Sequence, residues 1–174
     1  MNRLVLPVAA MAVIVVASNI LVQYPINDWL TWGALTYPFA FLVTDLTNRT
    51  WGPTAARRVV TVGFLIAVVM SAWLATPRIA AASGAAFLIA QLLDVTLFDR
   101  LRHLRQWWAA PLASSTVGSA VDTAIFFAGA FMLTDVPWVS LAVGDYGVKL
   151  GLALLMLVPF RVAIRTVLAK PSQA

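Results

Sequence analysis

Polar and apolar residues alternate along the chain in long blocks, not with the short periods of a soluble helix or strand. A membrane-spanning helix needs about 20 consecutive, mostly apolar residues. Six stretches fit, at 4–23, 31–48, 59–75, 80–98, 108–133 and 138–160, the last continuing as a basic amphipathic tail to Lys170. A cleaved signal peptide competes for the first stretch, with Ala17-Ser18 as the cut. The apolar run continues past that point through Ile20, Leu21 and Val22, which favours a span. Pro38 after Tyr37 can kink the second stretch and so border a site, or serve packing alone.

Basic residues give the orientation. Arg3 precedes the first stretch, Arg49, Arg57 and Arg58 lie between the second and third, Arg100, Arg102 and Arg105 between the fourth and fifth, and Arg161, Arg165 and Lys170 after the sixth. The opposite loops receive only Arg78, and Lys149 lies inside the sixth stretch. Lys and Arg are retained in cytoplasmic loops, so this asymmetry predicts six helices with both termini in the cytoplasm. Trp29, Trp32, Trp73, Trp107, Trp108 and Trp138 fall near predicted span ends, where amphipathic rings favour the headgroup layer.

Composition agrees. The chain is 61% hydrophobic and 11% charged, with mean hydropathy +0.89. A soluble domain carries roughly 25% charged residues, so lipid must solvate most of this surface. The expected fold is an all-α membrane protein, a compact bundle forming one integral domain over 1–174. There is no cysteine and one histidine, His103. Disulfides and thiolate chemistry are excluded, and imidazole metal clusters are not expected. His103, among Arg102 and Arg105, reads as a surface residue. No cofactor, metal site or catalytic residue is expected.

Polar side chains within the predicted spans are the candidate chemistry, because an intramembrane charge costs about 2.5–3.5 kcal/mol at mid-span. Among them are Asn19, Asp45, Asn48, Gln91, Asp94, Asp122 and Lys149. A pattern repeats: Gln91, Asp94 and Phe98 in the fourth span, Ser119, Asp122 and Phe126 in the fifth. Residues three and four apart share a helix face, so each face pairs acceptors with an aromatic ring. That suits a flat polar heterocycle presenting N–H groups. Simpler roles compete. Asp45 and Asn48 can be interfacial or cap a turn, Gln91 can bond helices together, and Asp94, Asp122 and Lys149 can be structural ion-pair partners. Asn19 reads as interfacial, and Asp99 as half of a solvated salt bridge. Ser114, Ser115, Gly118 and Ser119 give the fifth span a narrow face suited to close helix packing.

The stretch Leu35-Thr-Tyr37-Pro38-Phe-Ala-Phe41-Leu-Val-Thr44-Asp45-Leu-Thr-Asn48, with Ala55-Ala-Arg57-Arg58 after it, resembles the signature of the queuosine precursor transporter family, also called vitamin uptake transporter-like. Ala90-Gln91-Leu92-Leu93-Asp94-Val95 with Phe98 is similar to its fourth-helix motif, and Ser114-Ser115-Thr116 through Asp122-Thr123-Ala-Ile125-Phe126 to its fifth. The likeness runs from about 31 to 165. The apolar run 107–113 departs from the longer polar stretch many members carry there.

The resemblance implies a multi-pass inner-membrane importer of 7-deazaguanine precursors of queuosine, 7-cyano-7-deazaguanine first, with a small-molecule substrate and lipid as its partners and no nucleic acid; a homodimer is allowed for. It points to Asp45, Asn48, Gln91, Asp94 and Asp122. A carboxylate can accept from both N–H groups of a guanine-like edge, and an amide can read the adjoining carbonyl. Asp94 or Asp122 is therefore expected to hold that edge with Gln91 and Asn48 beside it, the other aspartate taking up a proton. Phe98, Phe126, Tyr37 or a tryptophan is expected to stack on the ring, and Lys149 to pair with the aspartates or touch the ligand. Other readings are a substrate-capturing subunit energised by separate ATPase chains, an intramembrane enzyme, and a structural protein. No P-loop is present, and no serine–histidine, Gly-x-Gly-Asp or metal motif supports an enzyme.

Overall fold

The computed structural model describes residues 3–21, 24–27, 30–74 and 76–168. Trp29 and Lys170 lie outside the described residues. The elements are α1 (Val5–Leu21), β1 (Pro25–Asn27), β2 (Leu30–Thr31), α2 (Trp32–Thr36), α3 (Pro38–Trp51), α4 (Pro53–Leu74), α5 (Pro77–Leu101), α6 (Ala109–Phe131) and α7 (Trp138–Leu168). The two short strands pair antiparallel; otherwise the described chain is helices and their turns.

Three helices, α4, α5 and α7, are long and apolar enough to cross a membrane, and α1 is a shorter apolar helix. In α3 and α6 polar residues dilute the apolar signal, and these residues face protein: Thr44, Asp45, Thr47 and Asn48 in one, Ser114, Ser115, Ser119, Asp122 and Thr123 in the other are buried. Burial of the polar face leaves the apolar positions outward, the pattern of a protein whose solvent is lipid. The chain is a multi-pass membrane protein.

At Pro38 the helix is interrupted at one residue, whose backbone itself stays helical (φ −58°, ψ −38°). Tyr37 separates α2 from α3, and Pro38 occupies the first turn of α3, where its missing N–H has no partner to lose. Gly52 then ends α3. Its φ of +85° is the left-handed conformation that glycine adopts without strain, and its N–H closes on Asn48 O. With Pro53 starting the next helix, α4 begins well before the predicted 59. Arg57 and Arg58 therefore lie on its exposed first turns, not in a loop.

Side-chain contacts bring the ends of α3, α5 and α7 together with the start of α6. Arg49 Nη1 donates to Arg102 O at 2.7 Å, and Arg102 Nη1 donates back to Asn48 O at 2.8 Å. Each arginine thus donates to a carbonyl at the other's helix end, and Asn48 O accepts from Arg102 as well as from the Gly52 N–H. Arg161 stacks 4.3 Å from the centre of the Trp107 ring. The basic segments consequently gather at one end of the bundle. Arg78, at the other end, donates from Nε to Gly129 O at 2.9 Å and from Nη2 to Met132 O, closing the C-terminus of α6.

An apolar core of Met11, Val15, Ala40, Val59, Val60, Ala67, Phe87 and Val95 ties α1, α3, α4 and α5 together. A Cβ at Gly63 would meet Met11 Cγ at 2.7 Å, so glycine there lets α1 and α4 touch. Asn19 is bonded into this scaffold: its Nδ2 donates to Val15 O at 2.9 Å and its Oδ1 accepts from Ser71 on α4 at 3.2 Å. Asp99 pairs with Arg102 at 3.1 Å and His103 is exposed, both as expected.

Candidate functional site

Two polar centres lie within the bundle. The first surrounds Lys149 of α7. Its ammonium has three protons, and three acceptors meet it: Asp122 Oδ2 at 2.9 Å, Asp145 Oδ2 at 2.5 Å and Thr123 Oγ1 at 3.1 Å. Thr123 in turn donates to Asp145 Oδ2 at 2.8 Å, and the Tyr37 hydroxyl donates to Asp122 Oδ1 at 3.2 Å. Lys149 also lies 5.7 Å above the Tyr37 ring. A buried charge is tolerable only when paired and hydrogen-bonded, and this network meets that condition. Asp122 and Lys149 are ion-pair partners, one of the two roles the sequence leaves open.

The second centre lies where α3, α5 and α6 meet. Asp45 is buried at 2% exposure and Asp94 at 0%. Ser114 donates weakly to Asp45 Oδ1 at 3.4 Å, and Ser115 is also within reach of that carboxyl. Neither Asp94 oxygen has a donor among the described residues.

One turn away on the same faces are Asn48 and Gln91, both fully buried. Asn48 Nδ2 donates to Val95 O at 2.8 Å, which joins α3 to α5, while its Oδ1 has no partner among the described residues. The Thr44 hydroxyl is 2.9 Å from Ala40 O and 2.7 Å from Gln91 Oε1. One hydroxyl proton cannot serve both acceptors. If the Gln91 amide is turned over, its NH2 donates to Thr44 and Thr44 donates to Ala40 O. In either orientation one Gln91 amide atom is left unpaired.

Between α3, α6 and α7 runs a cleft of about 10 Å³, lined by Pro38, Phe41, Asp45, Ser115, Ser119, Lys149 and Phe160 among others. It touches both centres through Asp45 and Lys149. It is narrow, with room for about one water, so a bicyclic ligand requires the helices to part. Gly118 sets the width of the adjoining seam. A Cβ there would stand 2.9 Å from Phe41 Cε1 and 3.5 Å from Asp94 Cβ.

The structure thus brings Asp45, Asn48, Gln91 and Asp94 together, and Tyr37, Asp122 and Lys149 together beside them. The two predicted phenylalanines are not brought to the cleft. Phe98 is 1% exposed and packs edge-on against Phe160 at 6.0 Å, enclosed by side chains. Phe126 packs on Phe127 at 5.2 Å and Phe131 at 6.0 Å. The spacing argument places Phe on the aspartate's side of the helix but a full turn beyond it, and α7 fills that level in the case of Phe98. The aromatic side chains lining the cleft are Phe41, in edge contact with Tyr37 at 6.3 Å, and Phe160. Asp145 and Thr123 were not foreseen. The signal for Asp145 is its position four residues before Lys149 on one helix.

The family model described as "Putative vitamin uptake transporter" matches residues 31–164. The chain is 36% identical to the "Probable queuosine precursor transporter" of Haemophilus influenzae and 34% identical to the "Queuosine precursor transporter" of Escherichia coli, in each case over 90% of this chain and 84% of the relative. A "Probable queuosine precursor transporter" of Bacillus subtilis is 29% identical over 73% of this chain and 68% of its own length. No solved structure matches. These relatives are named as transporters, not enzymes. By the extent of the family match, and by its identity to relatives over nine-tenths of its length, the chain belongs to the vitamin uptake transporter family.

Proposed function

We propose that this protein imports 7-deazaguanine precursors of queuosine, 7-cyano-7-deazaguanine or its aminomethyl relative, across the cell inner membrane. It would do so as six spans with both termini in the cytoplasm, α2 and α3 together making the second. The substrate class follows from the names of the relatives. The observation that carries it to this chain's own residues is the set of buried, unpartnered hydrogen-bonding atoms on Asn48, Gln91 and Asp94. Each such atom costs about 1–3 kcal/mol when left unmet. A ligand with two adjacent N–H donors and a carbonyl would meet them: Asp94 accepting from both donors, Gln91 and Asn48 reading the rest of the edge. Phe41 and Tyr37 supply the aromatic wall. Asp122 and Lys149, already bonded to each other, border this site and hold Tyr37.

A bacterial strain unable to make the precursor, expressing this chain and supplied with each candidate at low concentration, tests the reading through the queuosine content of its tRNA. Rescue by at least one deazaguanine is expected, and rescue by none would remove the assigned substrate. Transport by the purified chain alone in vesicles separates a self-sufficient carrier from a capturing subunit that needs ATPase partners.

A further inference from the structure

The cleft runs lengthwise between three helices, and its lining gives it two ends. Along α7 the lining goes from Lys149 to Phe160, along α3 from Pro38 to Asp45, and along α6, which runs the other way, from Ser119 back to Pro111. One end lies at Phe160, beside the Phe98 ring and the Arg161–Trp107 stack. The other lies at Lys149, Pro38 and Ser119, and there the Lys149 cluster closes it. Tyr37 directly precedes Pro38, and Asp122 and Thr123 follow Ser119 by about one turn of α6. Across the α6–α7 seam Lys149 Nζ donates to Asp122 Oδ2 at 2.9 Å and to Thr123 Oγ1 at 3.1 Å, and Thr123 donates to Asp145 Oδ2 at 2.8 Å. From the start of α3, Tyr37 donates to Asp122 Oδ1 at 3.2 Å.

A ligand enters only when these helices part, and α7 is the least buried of the three long apolar helices. When α7 leans away from α6, the bonds that break are Lys149–Asp122, Lys149–Thr123 and Thr123–Asp145. Both buried ions of the Lys149–Asp122 pair nevertheless keep a partner. Lys149 keeps Asp145, four residues back on its own helix at 2.5 Å. Asp122 keeps the Tyr37 hydroxyl. Breaking a buried pair is most costly when it leaves a bare charge, and this arrangement avoids that on either side of the seam. We infer that the cluster is the latch of the cleft: Asp122 holds α7 closed, and Asp145 lets it open by keeping Lys149 matched. Two aspartates bonded to one lysine thus act on opening in opposite directions. A cluster that only held the bundle together would give both the same direction. Both roles rest on the reading of this cleft as the ligand's path, and neither on which ligand takes it.

The chain has no cysteine, so a single introduced thiol reports on the cleft. Ser119 is 3% exposed and lines the latched end. The full chain carrying Ser119→Cys is treated with a small membrane-impermeant methanethiosulfonate, from outside in whole cells and in parallel in inside-out vesicles. On that background Asp122→Asn should raise the labelling rate and Asp145→Asn should lower it, each by about tenfold, the worth of one hydrogen bond to a charged group. A rise in both aspartate variants, or no change in either, overturns the latch. Ser71→Cys, buried on α4 outside the cleft, should stay unlabelled throughout. If Asp122→Asn loses its fold and labels both thiols, Asp145→Asn decides alone, because unfolding cannot slow the reaction: a lower rate supports the latch and an equal or higher one overturns it. Opposite effects seen only in inside-out vesicles would reverse the assigned orientation and keep the latch. Opposite effects in a chain that transports no deazaguanine would remove the assigned substrate and keep the latch.

Discussion

The Lys149 ammonium lies 2.9 Å from Asp122 Oδ2, across the seam between α7 and α6. The same Asp122 receives the Tyr37 hydroxyl from the α2–α3 junction. Three segments distant in sequence are thus joined through one carboxylate. Removing one member leaves an uncompensated buried charge, which costs about 3–5 kcal/mol. Lys149→Ala and Asp122→Ala should each lower the melting temperature of the detergent-purified protein sharply. Because Asp145 still opposes the lysine when Asp122 is lost, Lys149→Ala should be the more damaging of the two. Equal melting temperatures for Lys149→Ala and wild type would show the network to be energetically idle.

Gln91 should separate stability from transport. One atom of its amide is unmet in either orientation, so Gln91→Met removes a polar group that burial penalises. Its melting temperature should match or exceed that of the wild type, while uptake of deazaguanine falls about tenfold or more, the worth of one ligand hydrogen bond of about 1.4 kcal/mol. A variant that is destabilised yet transports normally would reverse the assignment.

Phe98 and Phe41 should behave oppositely. Phe98 is enclosed against Phe160, so Phe98→Ala opens a cavity and should cost about 3–5 kcal/mol of stability. In the protein that still folds, affinity should be little changed. Phe41→Leu keeps most of the packing volume but removes an aromatic face from the cleft, and should weaken ligand binding with a smaller loss of stability. Equilibrium binding and thermal melting on the same preparations distinguish the two.

Gly118→Ala should press on Phe41 and on the α5–α6 seam, since its new Cβ would lie 2.9 Å from an aromatic carbon. Overpacking of this kind costs about 1–3 kcal/mol. Partial rescue by Phe41→Leu in the double variant, read as non-additivity of the melting shifts, is expected if the ring is what the methyl strikes.

The reciprocal bonds of Arg49 and Arg102 should couple energetically. Each donates to a main-chain carbonyl at the other's helix end, so the two single alanine variants should not add. A double-mutant cycle should return about 0.5 kcal/mol or more of coupling. A coupling energy of zero would mean that solvent supplies the same donors.

Much of this arrangement was legible in the sequence, for identifiable reasons. Polar residues in apolar runs marked Asp45, Asn48, Gln91 and Asp94, because lipid penalises them wherever they lack a protein neighbour. The i, i+3 spacing put Gln91 and Asp94 on one face, and the structure turns that face toward α3. What helix spacing cannot give is the rotation of one helix against the next. That is why Phe98 was placed near a ligand and is found under Phe160, and why Phe41, an unremarkable apolar residue in its own segment, lines the cleft. The single-helix pattern also hid the early start of α4, which depends on the positive φ of Gly52 and on Pro53. Asp145 stands outside the repeated aspartate motif, and its only mark in the sequence is the four-residue spacing to Lys149 on one helix.

Asp145 and Lys149 are four residues apart on α7, and this bears on biogenesis. Their bond needs no other helix, so it can form as soon as the segment is helical. A lone lysine at mid-span resists entry into the bilayer, whereas a helix carrying its own counter-ion enters with that charge already matched. Asp122 and Tyr37 join when the neighbouring helices dock. The lysine that ties α7 to α6 in the finished bundle would thus first be matched by the aspartate that lets its own helix into the membrane.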